Sequence, residues 1–127
     1  MAGSVKERPK HLNLFEIKLP LPGWVSILHR VSGAGLFLML PLLIWLFALS
    51  LRSPEGFEAF KATTGHPIVK LILLGLLWAY LHHFCMGIRI LLIDIHVGVE
   101  KARARASALA VLVVSLALTV ILGVKLW

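Results

Sequence analysis

Two adjacent histidines lie inside an apolar stretch of the sequence, where an ionisable side chain is unfavourable unless it has a partner. His82 and His83 stand in the run 78–89, and an imidazole in hydrocarbon needs a partner for at least one ring nitrogen. Candidate partners are another helix, a metal ion or a haem iron. Adjacent helical residues point about 100° apart, so only one of the two can ligate a given metal. The i, i+4 spacing of a two-histidine zinc site is absent, and one axial haem ligand fits better, with the second supplied elsewhere.

A glycine follows His83 by about one helical turn. Gly87 lies on the same face of the predicted helix and leaves room for a flat macrocycle. The alternative role for such a histidine is an interhelical hydrogen bond to a neighbouring chain. Spacing alone does not decide whether His82 or His83 is the ligand, although His82 is the better candidate for packing.

A second polar group opens the first apolar stretch. Ser26 and Arg30 are separated by four residues and share a helix face, and His29 points to a neighbouring face. A serine hydroxyl and a guanidinium can hydrogen-bond a quinone carbonyl, and Arg and His can pair with carboxylates such as haem propionates. The ordinary alternatives are that Ser26 caps the helix and that Arg30 reaches out to the membrane interface.

Two charged residues stand near the end of the second apolar stretch. Arg89 is interpreted either as an anchor that reaches the interface or as the partner of a buried carboxylate. Asp94 is a candidate for starting the turn into the next loop or for relaying protons. The remaining histidines, His11, His66 and His96, lie in polar segments, where we expect them to be solvated.

Three long stretches must position these residues. The segments 31–51, 71–88 and 106–124 contain no Asp, Glu, Lys or Arg, and they are 21, 18 and 19 residues long. A bilayer core of about 30 Å needs roughly 20 helical residues, and barrel-type alternation is absent. The sequence therefore predicts an all-α membrane protein with transmembrane helices at about 31–51, 68–95 and 105–126. Residues 1–127 form a single membrane-anchor domain, in which 1–30 are a cytoplasmic arm and interfacial segment.

The basic residues are divided unequally between the two sides of the predicted bundle. Eight Lys and Arg residues lie in the N-terminal arm and the second loop, and four lie in the first loop and the C-terminal tail. The positive-inside rule therefore predicts a cytoplasmic N-terminus. The N-terminal segment lacks the apolar core of a signal peptide, and Glu7 and Glu16 are unlike a mitochondrial presequence. These features favour a multi-pass protein of a bacterial inner membrane.

The composition excludes several other classes. The 127 residues are 59% hydrophobic and 15% charged, with a formal net charge of +7, whereas a soluble domain carries about a quarter charged residues. Basic charge on so apolar a chain indicates membrane loops and no nucleic-acid partner. The single cysteine, Cys85, excludes an internal disulfide and a cysteine-rich metal site.

The motifs at the two polar sites match those of one family. Ser-x2-His-Arg-x-Ser-Gly covers 26–33, His-x3-Gly-Ile-Arg covers 83–89, and the pair is much more specific than either string alone. The chain resembles the cytochrome b large membrane-anchor subunit of succinate dehydrogenase (respiratory complex II), from Arg8 to the third span. Further matches are Arg8-Pro9, Leu12-Asn13-Leu14, Asp94 and the bacterial-type segment Ser53-Pro54-Glu55-Gly56-Phe57-Glu58.

The resemblance implies a role for each matching residue. His83, and not His82, corresponds to the family's axial ligand of haem b, with the second ligand supplied by a partner subunit. Ser26 and Arg30 match quinone-site residues, His29 and Arg30 match positions near the haem propionates, and Asp94 matches an acidic residue near the quinone pocket. The sequence departs from the family at one position: many members have a histidine where this chain has Ile90, so one contact to the haem surroundings is missing or replaced.

The resemblance also implies partners and a reaction. A flavoprotein oxidises succinate, a step of the tricarboxylic acid cycle, and an iron–sulfur subunit passes the electrons to ubiquinone or menaquinone in the membrane. This chain and a small anchor subunit would form a heteromeric bundle in the lipid bilayer, and the chain itself contains no dicarboxylate chemistry. The alternatives are the anchor of a quinol:fumarate reductase, which runs the reverse reaction, and a structural membrane anchor without a redox cofactor.

Overall fold

Four helices make up most of the chain in the computed structural model, which describes residue 11 and residues 13–127. They are α1 (Leu21–Arg52), α2 (Pro54–Gly65), α3 (Pro67–Asp94) and α4 (Lys101–Leu126). Among the described residues there is no strand, and α1, α3 and α4 are long and apolar enough to cross a membrane. The prediction of an all-α membrane protein with three candidate spans is confirmed.

Some of the residues used above fall outside the described part of the chain. Lys6, Arg8 and Lys10 belong to the basic arm, and Arg8-Pro9 and Leu12 belong to the family motif. The structural description therefore begins, in practice, at Asn13.

Proline and a capping side chain set the start of two helices. Pro54 and Pro67 occupy the first positions of α2 and α3, where the N–H that proline lacks would have no helical partner. The Ser53 hydroxyl accepts a hydrogen bond from the Gly56 N–H at 3.0 Å, and His66 Nδ1 accepts one from the Ile68 N–H at 3.3 Å. The loop between the first two predicted spans therefore contains a helix of its own, α2.

The first helix is longer than its apolar stretch. It begins at Leu21, with Pro20 at the N-cap, and continues through Pro41 to Arg52. Ser26 and Arg30 therefore lie within the early turns of α1, and Ser26 is not its cap. At about 1.5 Å per residue α1 spans about 48 Å, more than a bilayer core of about 30 Å. Helix length does not place the bilayer edges, so the spans given above stay a prediction.

The three long helices pack side by side with α3 antiparallel to the other two. The early turns of α1 contact the later turns of α3, as shown by the 3.4 Å approach of the His82 imidazole to the Val25 carbonyl. The start of α4 lies against the same part of α3. The small core where they meet consists of Val25, Met86, Ala108 and Val111. Most other large apolar side chains face outward, as expected where lipid or another membrane helix is the neighbour.

The turn between α3 and α4 reverses the chain within a few residues. His96 has φ 62° and Gly98 has φ 73°, both in the left-handed region where a side chain is disfavoured. The His96 N–H bonds to the Ile93 carbonyl at 2.8 Å and the Val97 N–H to the Leu92 carbonyl at 2.9 Å. The last carbonyls of α3 are thus satisfied, and the first turns of α4 return against the last turns of α3.

Candidate functional site

The His83 imidazole is held where α1 crosses α3. Its Nδ1 atom lies 3.0 Å from the His29 carbonyl oxygen and 3.2 Å from Ser32 Oγ. A carbonyl oxygen can only accept, so the proton of the neutral ring is on Nδ1 and the Nε2 atom carries the lone pair. A histidine whose second nitrogen donates to a backbone carbonyl is the usual form of a metal-ligating histidine.

Two neighbours on α1 limit the movement of that ring. The His29 ring stacks on it with centroids 4.0 Å apart and planes only 11° apart. A β-carbon added at Gly33 would lie 2.8 Å from His83 Cε1, closer than side-chain atoms approach, so any other residue there would force the ring or the helix to shift. His83 therefore lies against backbone on one side and an aromatic face on another.

The Nε2 side of the ring is open by comparison. His83 is half-buried, and no donor or acceptor from residues 11 and 13–127 reaches its Nε2 atom. A β-carbon built at Gly87 meets no atom within 4 Å. A haem iron needs from one axial ligand a nitrogen lone pair without another partner and a helix face without bulky side chains nearby; His83 Nε2 and the glycine one helical turn away fit that group.

His82 has a different environment. It is 1% exposed, its Nε2 lies 3.4 Å from the Val25 carbonyl, and its ring packs 5.5 Å from that of Trp78. Its Nδ1 and Trp78 Nε1 are buried without a hydrogen-bond partner in the described part of the chain. His82 therefore packs inside the bundle, with no open side for a macrocycle.

The other predicted site residues lie at the same end of the bundle and are more accessible. Ser26 is half-buried and Arg30 is exposed one turn later on α1. Asp94 is exposed at the last residue of α3. The side chains of Arg30 and Asp94 form no ion pair with any described residue. The structure thus groups Ser26, His29 and Arg30 along α1 beside His83, and it leaves Asp94 at the helix end.

Arg89 occupies a place that neither sequence interpretation foresaw. It is 7% exposed and neither reaches the interface nor meets a carboxylate. Its Nε donates to Ser107 Oγ at 2.9 Å, and its Nη2 donates to the Ala104 carbonyl at 3.1 Å. The guanidinium therefore connects α3 to α4 through neutral acceptors, because the close return of α4 places those oxygens beside it.

The sequence analysis included Ser32 and Gly33 in the motif but assigned neither a role, and it did not single out Ser107. Ser32 and Gly33 follow His29 by one helical turn, and small residues at such spacing let two membrane helices approach closely, which was a usable signal. Ser107 carried none, since a serine among alanines at the start of a helix is common. Within the described ranges, no group of three or more His, Cys, Asp or Glu side chains could hold a metal ion.

Fold and site together define a class: a multi-span helical membrane subunit that presents one oriented imidazole at a helix crossing. Comparison with known proteins gives the family. The model of the succinate dehydrogenase/fumarate reductase transmembrane subunit family matches residues 4–122, and the chain belongs to this family. The resemblance inferred from the motifs is therefore confirmed.

Several relatives carry the name succinate dehydrogenase cytochrome b556 subunit. The protein from Coxiella burnetii is 35% identical over 122 residues, which cover 95% of this chain and 98% of the relative. That from Rickettsia felis is 32% identical over 118 residues, covering 93% and 92%. That from Paracoccus denitrificans is 30% identical over 93 residues, covering 73% and 72%. The first two of these similarities extend over more than nine-tenths of this chain.

Proposed function

We propose that this chain is the large membrane-anchor subunit of a succinate:quinone oxidoreductase, in which it helps hold haem b and bind quinone. The observation that carries the proposal is the His83 ring, whose Nδ1 lies 3.0 Å from the His29 carbonyl while Nε2 is free. The name cytochrome b556 in the relatives supports it. An interhelical hydrogen bond alone would account for the position of Nδ1, whereas a haem ligand also accounts for an Nε2 atom that has no partner among the described residues.

His83 would hold the haem iron on one side. The other axial histidine would come from a small partner subunit, as the resemblance to the family implies. His29 and Arg30 would lie towards the propionates, where a guanidinium pairs well with a carboxylate. Bound there, the haem supplies a one-electron store next to the quinone. Ile90, which replaces the family's histidine, packs against the core cluster.

Ser26 and Arg30 would bind the quinone. A hydroxyl and a guanidinium one turn apart on α1 can both donate to a quinone carbonyl, and the donated bonds favour the negative charge that develops on oxygen during reduction. Asp94, exposed at the end of α3, would pass protons from water to the quinone. The electrons would originate in the flavoprotein and pass through the iron–sulfur subunit.

The charge distribution supports a location for the complex. With the N-terminus and the α3–α4 turn on the cytoplasmic side of a bacterial inner membrane, the basic side of the chain would face the soluble subunits. The quinone would then be reduced near that side. The family description names fumarate reductase as well, so an anchor that serves the reverse reaction is the second candidate.

The haem assignment is tested by a reduced-minus-oxidised optical spectrum of the purified complex. We expect a b-type band that is lost in His83→Ala and kept in His82→Ala. Absence of the band from the unmodified complex would overturn the cofactor proposal, and retention of the band in His83→Ala would overturn the ligand choice.

The quinone assignment is tested by two activities of the same preparation. Ser26→Ala and Arg30→Ala should lower succinate:quinone reductase activity, by about tenfold or more for Arg30→Ala, while succinate oxidation with an artificial acceptor is unchanged. Equal loss of both activities would instead indicate a defect in assembly. Comparing ubiquinone with menaquinone, and succinate with fumarate, separates the two candidate reactions.

A further inference from the structure

Two small residues on α1 contact the imidazole that the proposed function assigns to haem. Ser32 is buried; its hydroxyl donates to the His29 carbonyl at 2.8 Å and lies 3.2 Å from His83 Nδ1. Gly33 lies beside the same ring, where an added β-carbon would be 2.8 Å from Cε1 and 3.3 Å from Nδ1. Neither residue offers an atom that can ligate a haem iron.

We propose that Ser32 and Gly33 are positioning residues that fix the proton and the ring plane of His83. The hydrogen bonds of Ser32 keep the proton of His83 on Nδ1. The absence of a side chain at Gly33 lets the His83 ring lie in its observed plane. This inference rests on the proposed function, because it concerns how the assigned ligand is held.

The hydrogen bonds around Nδ1 all favour the same protonation. Ser32 donates its only hydroxyl proton to the His29 carbonyl, so its lone pairs are left to face His83. Nδ1 therefore meets two acceptors, the carbonyl and the hydroxyl oxygen, and its proton is shared between them. A ring held in this form keeps its lone pair on Nε2 before any haem arrives, which removes one rearrangement from haem binding.

The ring plane is constrained from two sides. The stacked His29 ring covers one face, and the backbone at Gly33 abuts the edge that contains Cε1. Rotating the His83 imidazole would drive that edge into α1 or break the bond to His29. The orientation of an axial imidazole relative to the second ligand sets the low-spin ferric signal of a bis-histidine haem, so this constraint predicts a spectroscopic consequence.

The test compares Gly33→Ala with Gly35→Ala in the purified complex. A β-carbon at Gly35 meets nothing within 4 Å, so Gly35→Ala adds the same methyl group to the same helix without touching His83. We expect Gly33→Ala to shift the low-spin ferric haem signal in electron paramagnetic resonance and to lower the haem-to-flavin ratio. Gly35→Ala should match the unmodified complex in both.

The second comparison pairs Ser32→Ala with Ser115→Ala. Ser115 is also buried and also donates to a carbonyl of its own helix, at Leu112, but it lies on α4 and forms no hydrogen bond with His83. Ser32→Ala should raise the haem midpoint potential, since a weaker bond at Nδ1 makes the ligand a poorer electron donor, and should weaken haem retention up to about tenfold. Ser115→Ala should change neither. Because it adds no bulk, Ser32→Ala remains informative even if Gly33→Ala does not assemble.

The outcomes separate this inference from the function it rests on. Haem retained in His83→Ala would refute the ligand assignment itself. Haem lost in His83→Ala, with the unmodified signal in Gly33→Ala and the unmodified potential in Ser32→Ala, would refute only the positioning role. A lowered unfolding temperature without either haem change would mean that these residues serve packing alone, and this also refutes the proposal.

Discussion

The two halves of the bundle are held together by different interactions. The polar half contains the start of α1, the end of α3 and the start of α4, and the apolar half contains their opposite ends with α2. Every side-chain hydrogen bond between long helices in the described part of the chain lies in the polar half: His82 and His83 bond to α1, and Arg89 bonds to α4. In the apolar half, Ser50, Thr64 and Thr119 bond only to their own helices.

The difference shows which part of a membrane helix bundle can select one register between neighbouring helices. Lipid tails are as apolar as leucine, so apolar contacts alone discriminate little between helix registers, whereas an interhelical hydrogen bond fixes one. The apolar half leaves a cavity of about 570 Å³ between the helices. Its walls are mostly leucines and the aromatic residues Phe47, Phe60, Tyr80 and Trp127, with the hydroxyl side chains of Ser50 and Thr64 among them. The half with directional bonds is the half that holds the candidate site.

The largest expected effect concerns the buried guanidinium of the polar half. Ser107→Ala removes the acceptor of Arg89 Nε and leaves a charged donor buried without a partner, which should cost about 1–3 kcal/mol of stability. Arg89→Met removes the charge together with its need for acceptors and should cost less. Thermal unfolding of the detergent-solubilised complex measures both.

The variants Ser107→Ala and Arg89→Met can also contradict the proposed difference between the polar half and the apolar half. If Arg89→Met destabilises the complex more than Ser107→Ala, the cation contributes more than the hydrogen bonds that satisfy it. If neither variant lowers the unfolding temperature, the two halves do not differ in the way proposed.

A smaller effect is expected in the apolar half. A β-carbon at Gly123 would lie 2.8 Å from Leu74 Cδ2, as close as the β-carbon at Gly33 would lie to His83. The tip of a leucine can rotate away, and alanine favours helix by up to about 1 kcal/mol over glycine, so Gly123→Ala should change stability by less than about 1 kcal/mol. Gly33→Ala, which meets a hydrogen-bonded ring, should cost about 1–3 kcal/mol. Equal unfolding temperatures for the two variants would show that the polar half is no more rigid.

The smallest effect lies outside the spans, at the start of α2. The N–H of Glu55 and the hydroxyl of Ser53 favour the ionised carboxylate and lower the pKa of Glu55 from its ordinary 4.5. Because the pKa is lowered on folding, the stabilisation is present above pH 4.5 and is lost as the pH falls through the folded value. Amide hydrogen exchange in α2 should therefore be slower in the unmodified protein than in Glu55→Gln above pH 4.5. As the pH falls, this difference between the two proteins should disappear. Identical exchange in the two proteins at every pH would contradict this.

Much of the fold could be predicted from the sequence because its signals are local. Charge-free stretches of span length predict the long helices, and Ser53-Pro54 and His66-Pro67 mark helix starts that the structure contains. The start of α1 was less predictable: the helix extends through Ser26 and Arg30 to Leu21, because polar residues at the end of a span can continue a helix into the interface.

The site was predictable only in part. The resemblance to the family singled out His83, Ser26 and Arg30, and the structure places them near one end of the bundle, although their roles stay predictions. Arg89 was misjudged because its partners, Ser107 and the Ala104 carbonyl, come from another helix, and no local pattern shows which oxygens a guanidinium will meet.

The sequence by itself determined the number of spans, the family and the residues that are too polar for hydrocarbon. The number of candidate spans and the residues too polar for hydrocarbon follow from composition and short-range spacing, and the family follows from the resemblance of the motifs; none of these depends on how the helices pack. Only the tertiary structure decided which nitrogen of His83 carries its proton, what a side chain at residue 33 would meet and what satisfies Arg89. Each depends on atoms that are distant in sequence and within about 3 Å in space, and such contacts exist only after the helices have packed.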